Sequence, residues 1–279
     1  AALGGDRINA NTTAEVIGDS TTTSKIFARN IETKATADAD ILNIAVGAAG
    51  GGQVAVAGSF GINMIEDNVY ANITNSTLGA YGNIAAVTQS DERIRNFAGA
   101  LSATFGVAAV GGNVAVNKID GKTITTVEGS DITAQGNDGG YITYGAVSKG
   151  ELNADSLKSE ESKNKAAKFQ IENFERKAVN NKGGFIADSS STHAIQAVLV
   201  TAGGAGTAAV ELGVDVNLVG GATKTVVKET DINKALDAVD AGSVAIKAVD
   251  FTNSYSFLVN AAVAGTAAVA GAGAVKITA

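Results

Sequence analysis

A Gly/Ala-rich segment occurs four times in this chain, and that internal repetition constrains the fold more than any other feature. The copies run from Gly47 to Asn63 (GAAGGGQVAVAGSFGIN), Phe105 to Asn117 (FGVAAVGGNVAVN), Ala202 to Asn217 (AGGAGTAAVELGVDVN) and Ala261 to Ile277 (AAVAGTAAVAGAGAVKI). Three of them close on an asparagine, Asn63, Asn117 and Asn217. The residues after each copy are shared too. One register aligns Ile73, Val127 and Val227, then Leu78, Ile132 and Ile232, and the stretch from Val16 reads as the tail of an earlier copy. Asn63 and Asn117 lie 54 residues apart and Asn117 and Asn217 lie 100 apart, the excess being one insertion.

Inside each copy the pattern is strand-like. Val114 and Val116 alternate with Asn113, Ala115 and Asn117, and Val214 and Val216 with Gly213, Asp215 and Asn217. Period two with β-branched residues predicts half-buried strands, and the Gly, Asn, Asp and Ser clusters between them predict corners. Short strands, tight corners and a longer repeat together predict an all-β chain of stacked coils, a parallel β-helix or β-solenoid. At roughly 18 to 25 residues per coil, each repeat would be two or three coils and the chain a rod on the order of 50 Å long. The alternative is an antiparallel meander, for which Gly111-Gly112 would supply a hairpin turn. The chain has no proline, where about 14 are usual for its length. That suits continuous backbone ladders, in which proline cannot donate.

The hydrophobic fraction is 45%, but aromatic residues make up only 5%, so the core must be thin. A net charge of −7 with scattered lysines argues against a nucleic-acid partner. The absence of cysteine excludes a disulfide framework and a thiolate metal site. The chain opens Ala1-Ala2-Leu3-Gly4-Gly5 without the basic and apolar regions of a signal peptide, and is expected to be a piece of a longer protein.

Motifs of catalysis are missing. Gly203-Gly204-Ala205-Gly206 has neither dinucleotide nor P-loop spacing, and His193, the single histidine, stands in SSSTHAIQ without a nucleophile elbow. The acidic pairs Asp38/Asp40 and Asp91/Glu92 read as solvated corners, although a carbohydrate-active β-helix enzyme would use such carboxylates. No enzyme activity and no cofactor or metal is therefore expected. The stretches Ile41 to Ile65, Asn96 to Asn117 and Phe251 to Val275 carry no charge and are long enough to cross a bilayer. Their Gly and Ala offer lipid little apolar surface, so the alternation predicts a packed coil interior, with a membrane-active toxin segment as the alternative.

One region breaks the repeat and divides the chain into coils over residues 1–150, a helical insertion over 151–191 and further coils over 192–279. Between Asp155 and Lys177, Ala167, Ile171, Phe174 and Ala178 form an apolar stripe, flanked by the pairs Glu161/Lys165 and Glu172/Arg176. The stripe predicts a helix packed on the side of the rod, covering an apolar face; the alternative is a protruding recognition element, since insertions on a regular scaffold often carry binding. Lys158, Lys163, Lys165, Lys168, Phe169 and Arg176 are accordingly the candidate contact surface.

The xVxVN strands with Ser/Thr/Asp corners, no Cys and no Pro resemble filamentous-haemagglutinin-like two-partner-secretion proteins and autotransporter passengers. GGGQVAVAGSFGIN and VAAVGGNVAVN resemble in particular the repeats of leukotoxin-type exoproteins. The resemblance covers nearly all of the chain outside the insertion and rests on repeat style. It implies a right-handed parallel β-helix, an outer-membrane export partner, a secreted or cell-surface location, and contact with a leukocyte or epithelial host cell. It carries over no site residues.

Overall fold

The computed structural model describes residues 1–19, 23–145, 177–234, 236 and 240–278. Among these the chain is all-β, built on parallel sheets of long strands. The strands are β1 (Ala2–Ile17), β2 (Ser24–Ala28), β3 (Ile31–Gly51), β4 (Val54–Thr74), β5 (Ser76–Ala80), β6 (Ile84–Thr104), β7 (Ala108–Glu128) and β8 (Asp131–Ala134). They continue as β9 (Tyr141–Gly145), β10 (Lys177–Asn181), β11 (Gly184–Ala205), β12 (Ala208–Lys228), β13 (Asp231–Ile232), β14 (Ser243–Ala264) and β15 (Ala267–Thr278).

The topology follows from the repeat. β1, β4, β7, β12 and β15 form one parallel sheet, β3, β6, β11 and β14 a second, and the short strands β2, β5, β8 and β13 a third. The chain visits the sheets in the same order on every pass, so the alternative meander is not the structure. The register read from the sequence holds: Ile73 pairs with Val127 and Val127 with Val227, while Leu78 pairs with Ile132 and Ile132 with Ile232. Val16 pairs with Ile73, so the opening stretch does belong to an earlier copy.

The size of the coil is corrected. One 54-residue repeat is a single circuit of the three sheets, not two or three. Its two 21-residue strands run about 70 Å, while five strands stack to only about 20 Å. The reason is that Asn63, Asn117 and Asn217, which close the alternating runs in the sequence, sit inside continuous strands with their side chains buried. True corners carry a different mark. Asn75, Gly129 and Glu229 take a left-handed backbone (φ 48, 60 and 50) between the first and third sheets. Each is followed by Ser76, Ser130 or Thr230, whose hydroxyl bonds back to the carbonyl two residues before.

The interior changes character along the strands. At the end closed by the short strands, Ile73, Leu78, Ile84, Val127, Ile132 and Phe185 pack into an apolar core. A second cluster of Ile41, Ile65, Ile94, Ile119, Ile195 and Val219 lies further along. Beyond it the interior narrows to Ala98, Ala115, Ala197 and Leu199. The narrowing ends at tight turns around Gly52, Gly106, Gly206 and Gly265, where the two long sheets meet.

The insertion is smaller in sequence than its composition implies. Gly184 to Ser191 open β11 and pair with β14, and Phe185 to Ser191 pair with Ile84 to Ser90 of β6 as a repeat strand should. Lys177 and Ala178, assigned to the helix and its stripe, are in β10, which pairs antiparallel with β9. Tyr141 on this hairpin packs against Ala85, Val87 and Ile186, covering the outer face of the second sheet there. The rest of the segment predicted to be helical lies outside the described residues, as do Lys158, Lys163, Lys165, Lys168, Phe169 and Arg176.

Candidate functional site

Two arrangements stand out against this scaffold, an interior charge cluster and an exterior apolar band. The cluster forms because Glu92 and His193 occupy equivalent positions of successive copies and face each other across the β6–β11 pairing. His193 Nε2 lies 3.5 Å from Glu92 Oε2, and its Nδ1 lies 3.1 Å from Asp250 Oδ1. Both are ion-pair contacts without the alignment of a hydrogen bond. Ser90 Oγ donates to Glu92 Oε1 at 2.8 Å, and Ser191 Oγ donates to Asp250 Oδ1 at 2.9 Å.

Electrostatics follow from the burial. Loss of water pushes the Glu92 carboxyl up to about 7. For His193 burial works against the charged ring, but contact with Asp250 and the charge of Glu92 outweigh it and hold its pKa above the ordinary value. Burial likewise pushes Asp250 up, and His193 more than reverses this, holding the carboxyl below the usual range. An acid–histidine–acid row has the components of proton transfer, yet Glu92 is 0% and His193 only 2% exposed, so both are sealed from bulk water. Among the described residues no group of three or more His, Asp or Glu is placed to hold a metal ion. In the sequence Asp91/Glu92 reads as a solvated pair, and His193 has no partner beside it. For His193 and Glu92 the structure places both inside.

The cluster makes stability depend on pH. Glu92 and His193 hold protons in the folded chain that the unfolded chain releases at lower pH. The stability they contribute is present below their unfolded values of 4.5 and 6.5 and is lost as pH rises through the folded ones. For Glu92 the loss between those limits is on the order of 3 kcal/mol. Asp250 has the opposite sign and acts only below its ordinary 3.8. Thermal unfolding followed by circular dichroism should therefore give a Tm higher at about pH 5 than at about pH 8, with Glu92→Gln flattening the difference. A Tm that rises over this interval would contradict the assignment.

The apolar band occupies the Gly/Ala end of the coils, and here the alternation runs opposite to the sequence expectation. Asn113, Ala115 and Asn117 face inward and Val114 and Val116 outward. Val54, Val56 and Ile62 on one sheet are 57%, 64% and 41% exposed, and Leu42, Ile44 and Val46 on the other are 52%, 66% and 59% exposed. The strand pairing stacks such residues into columns: Val56 with Val110, Val110 with Val210 and Val210 with Val269; Ile44 with Phe97, Phe97 with Val198 and Val198 with Phe257. Contiguous exposed apolar surface on this scale marks an interaction site.

Polar groups take the inside. Asn43 Nδ2 donates to Asn63 Oδ1, Asn63 Nδ2 to Asn117 Oδ1 and Asn117 Nδ2 to Asn217 Oδ1, each at 2.8 Å, and Asn96 Nδ2 joins at Asn117 Oδ1 at 3.0 Å. Asn217 continues to Asp215 Oδ2 at 2.7 Å and Ser256 Oγ at 2.9 Å. Nearer the turns, Glu211 is wholly buried, its pKa raised by loss of water, and it accepts from Ser102 Oγ at 2.6 Å. Gly111 and Gly203 make room for it, since a Cβ on either would stand within 1.8 Å of the carboxylate.

Comparison of the chain with protein-family models, with curated proteins and with solved structures finds no match.

Proposed function

We propose that this chain is a non-enzymatic segment of a large secreted bacterial exoprotein of the leukotoxin or haemagglutinin-like kind, a right-handed β-solenoid that serves as a scaffold for contact with host cells. The repeated circuit of three parallel sheets supports the solenoid, and the strong preference of parallel crossovers for one hand supports its handedness. The observation that carries the contact role is the uncharged apolar band, which covers both outer faces at one end of every coil. Zero cysteines and zero prolines suit a chain exported through an outer-membrane partner before it folds.

The test is flow cytometry of the fluorescently labelled chain on leukocytes and epithelial cells. Saturable binding is expected, weakened by the paired substitution Ile44→Asp and Val56→Asp, whose exposed positions leave the fold unchanged. Binding that survives these changes but disappears when residues 151–176 are removed would move the contact to the insertion. Absence of binding by a folded chain would reduce the segment to a spacer.

The inverted alternation, apolar outside and polar inside, favours a second reading of the same band, direct action on a membrane.

A further inference from the structure

We propose that the apolar end of the coils is a wedge that seats in the hydrocarbon of a lipid bilayer and holds the chain on a membrane without opening a channel. This rests on the cell-contact reading above and names the chemistry of the contact.

Several observations point to lipid over a protein partner. Apolar side chains cover both outer faces and the turns as well: Ile44 and Val46 on one sheet, Val56 and Val110 on the other, and a fully exposed Phe105 at the end. A protein partner needs one complementary face, whereas hydrocarbon meets all sides at once. The alternation is also that of strands that cross membranes, apolar outward and polar or small inward. A water-soluble sheet has the reverse.

Length agrees. Residues 42–50 of β3 and 54–62 of β4 carry no charge, and each stretch reaches about 30 Å, the thickness of a bilayer's hydrocarbon core. The band stops at a charged rim in both sheets, where Arg95 meets Asp40 at 2.6 Å and Lys118 meets Asp120 at 2.8 Å. Side chains of that kind belong at the level of lipid headgroups. Within the band β7, β12, β6 and β11 are paired along both edges and satisfy their backbone internally, as hydrocarbon demands, while an open edge remains on the outermost strands there, β3, β14, β15 and Val54–Gly58 of β4. Between β3 and β4 the two sheets approach until a Cβ on Gly47 would lie 2.1 Å from the Gly58 carbonyl oxygen, which leaves no room for water at that point.

Since the chain has no tryptophan, a single one reports its own surroundings. Phe105→Trp places it at the end of the wedge, and Tyr81→Trp places a control at the opposite, short-strand end. Each variant is mixed with zwitterionic phosphatidylcholine vesicles, with and without brominated acyl chains, and a parallel sample carries trapped dye. The Phe105→Trp emission should shift to the blue and be quenched by bromine, the Tyr81→Trp emission should not change, and the dye should stay inside. Ile44→Asp with Val56→Asp should weaken vesicle binding by roughly a hundred-fold with an unchanged circular dichroism spectrum.

Release of dye would overturn the channel-free wedge. A Phe105→Trp reporter that is already buried in lipid-free buffer, in an oligomer that vesicles do not dissolve, would assign the band to a second copy of the chain and overturn the proposal. A chain that binds leukocytes but not vesicles would overturn the lipid contact and leave the cell-contact reading standing. A folded chain that binds neither would overturn both.

Discussion

Gly47→Ala should destabilise the chain by about 3 kcal/mol, a large effect for one methyl group. Gly47 faces inward on β3 where the two long sheets come into backbone contact, and its Cβ would stand 2.1 Å from the carbonyl oxygen of Gly58. No rotamer change relieves this, because the obstructing atom is main chain. Gly58 is itself held in register, paired with Gly112 of β7, so moving it disturbs the neighbouring strand as well. Gly52, five residues on at the turn, provides the internal control. A Cβ there meets nothing within 4 Å, so Gly52→Ala should leave stability within about 0.5 kcal/mol of the parent. Urea unfolding of the two variants side by side measures the difference. Equal midpoints would mean that the sheets are not in contact at Gly47, and the filled interior of the wedge would go with them.

That contact explains what the sequence could and could not show. Pairing register was legible because Ile73, Val127 and Val227 recur at the one place where each circuit must bury a branched side chain, and a stacked parallel sheet aligns such residues automatically. The insertion was legible from the change in repeat spacing, but its boundary was not. Asp188 to Ser191 are small and polar and look foreign to the repeat, yet they continue the strand opened by Phe185 and Ile186, buried between the interior and the β9–β10 hairpin.

Coil size and facing were misread for a single physical reason. Hydrophobic patterning assumes that apolar residues point inward. At the Gly/Ala end they point outward, because two backbones in close approach leave space mostly for small side chains between them, and a larger one such as Glu211 fits only opposite glycines. Asn63 and Asn117 close their alternating runs in the sequence, whereas in the structure the strands run on past them and each amide serves as both donor and acceptor in an interior ladder. The charge cluster was hidden differently. His193 has no acidic neighbour in sequence, and its partners appear only when the copies are aligned, which sets Glu92 opposite it.

The asparagine ladder is where a single side chain should matter most. Asn117 accepts from Asn63 at 2.8 Å and from Asn96 at 3.0 Å, and donates to Asn217 at 2.8 Å and to Asp215 at 3.3 Å. All five side chains are sealed from solvent. Asn117→Ala leaves two amide donors and one amide acceptor without partners, at about 1 to 3 kcal/mol each, so a total loss on the order of 4 kcal/mol is expected. Asn43→Ala removes only the donation to Asn63 at the outer edge of the ladder and should cost about 1 kcal/mol. The graded response matters more than either value, since only a continuous ladder makes an inner rung several times costlier than an outer one. A double-mutant cycle on Asn63 and Asn117 should give a coupling of about 1 kcal/mol or more, against additivity for Asn43 and Asp250, which share no partner. Because each coil contacts only its neighbours, losing the central rung should also broaden the urea transition as the stack divides around β7. Equal costs at Asn43 and Asn117 would mean that the amides act singly, leaving the polar interior unconnected between coils.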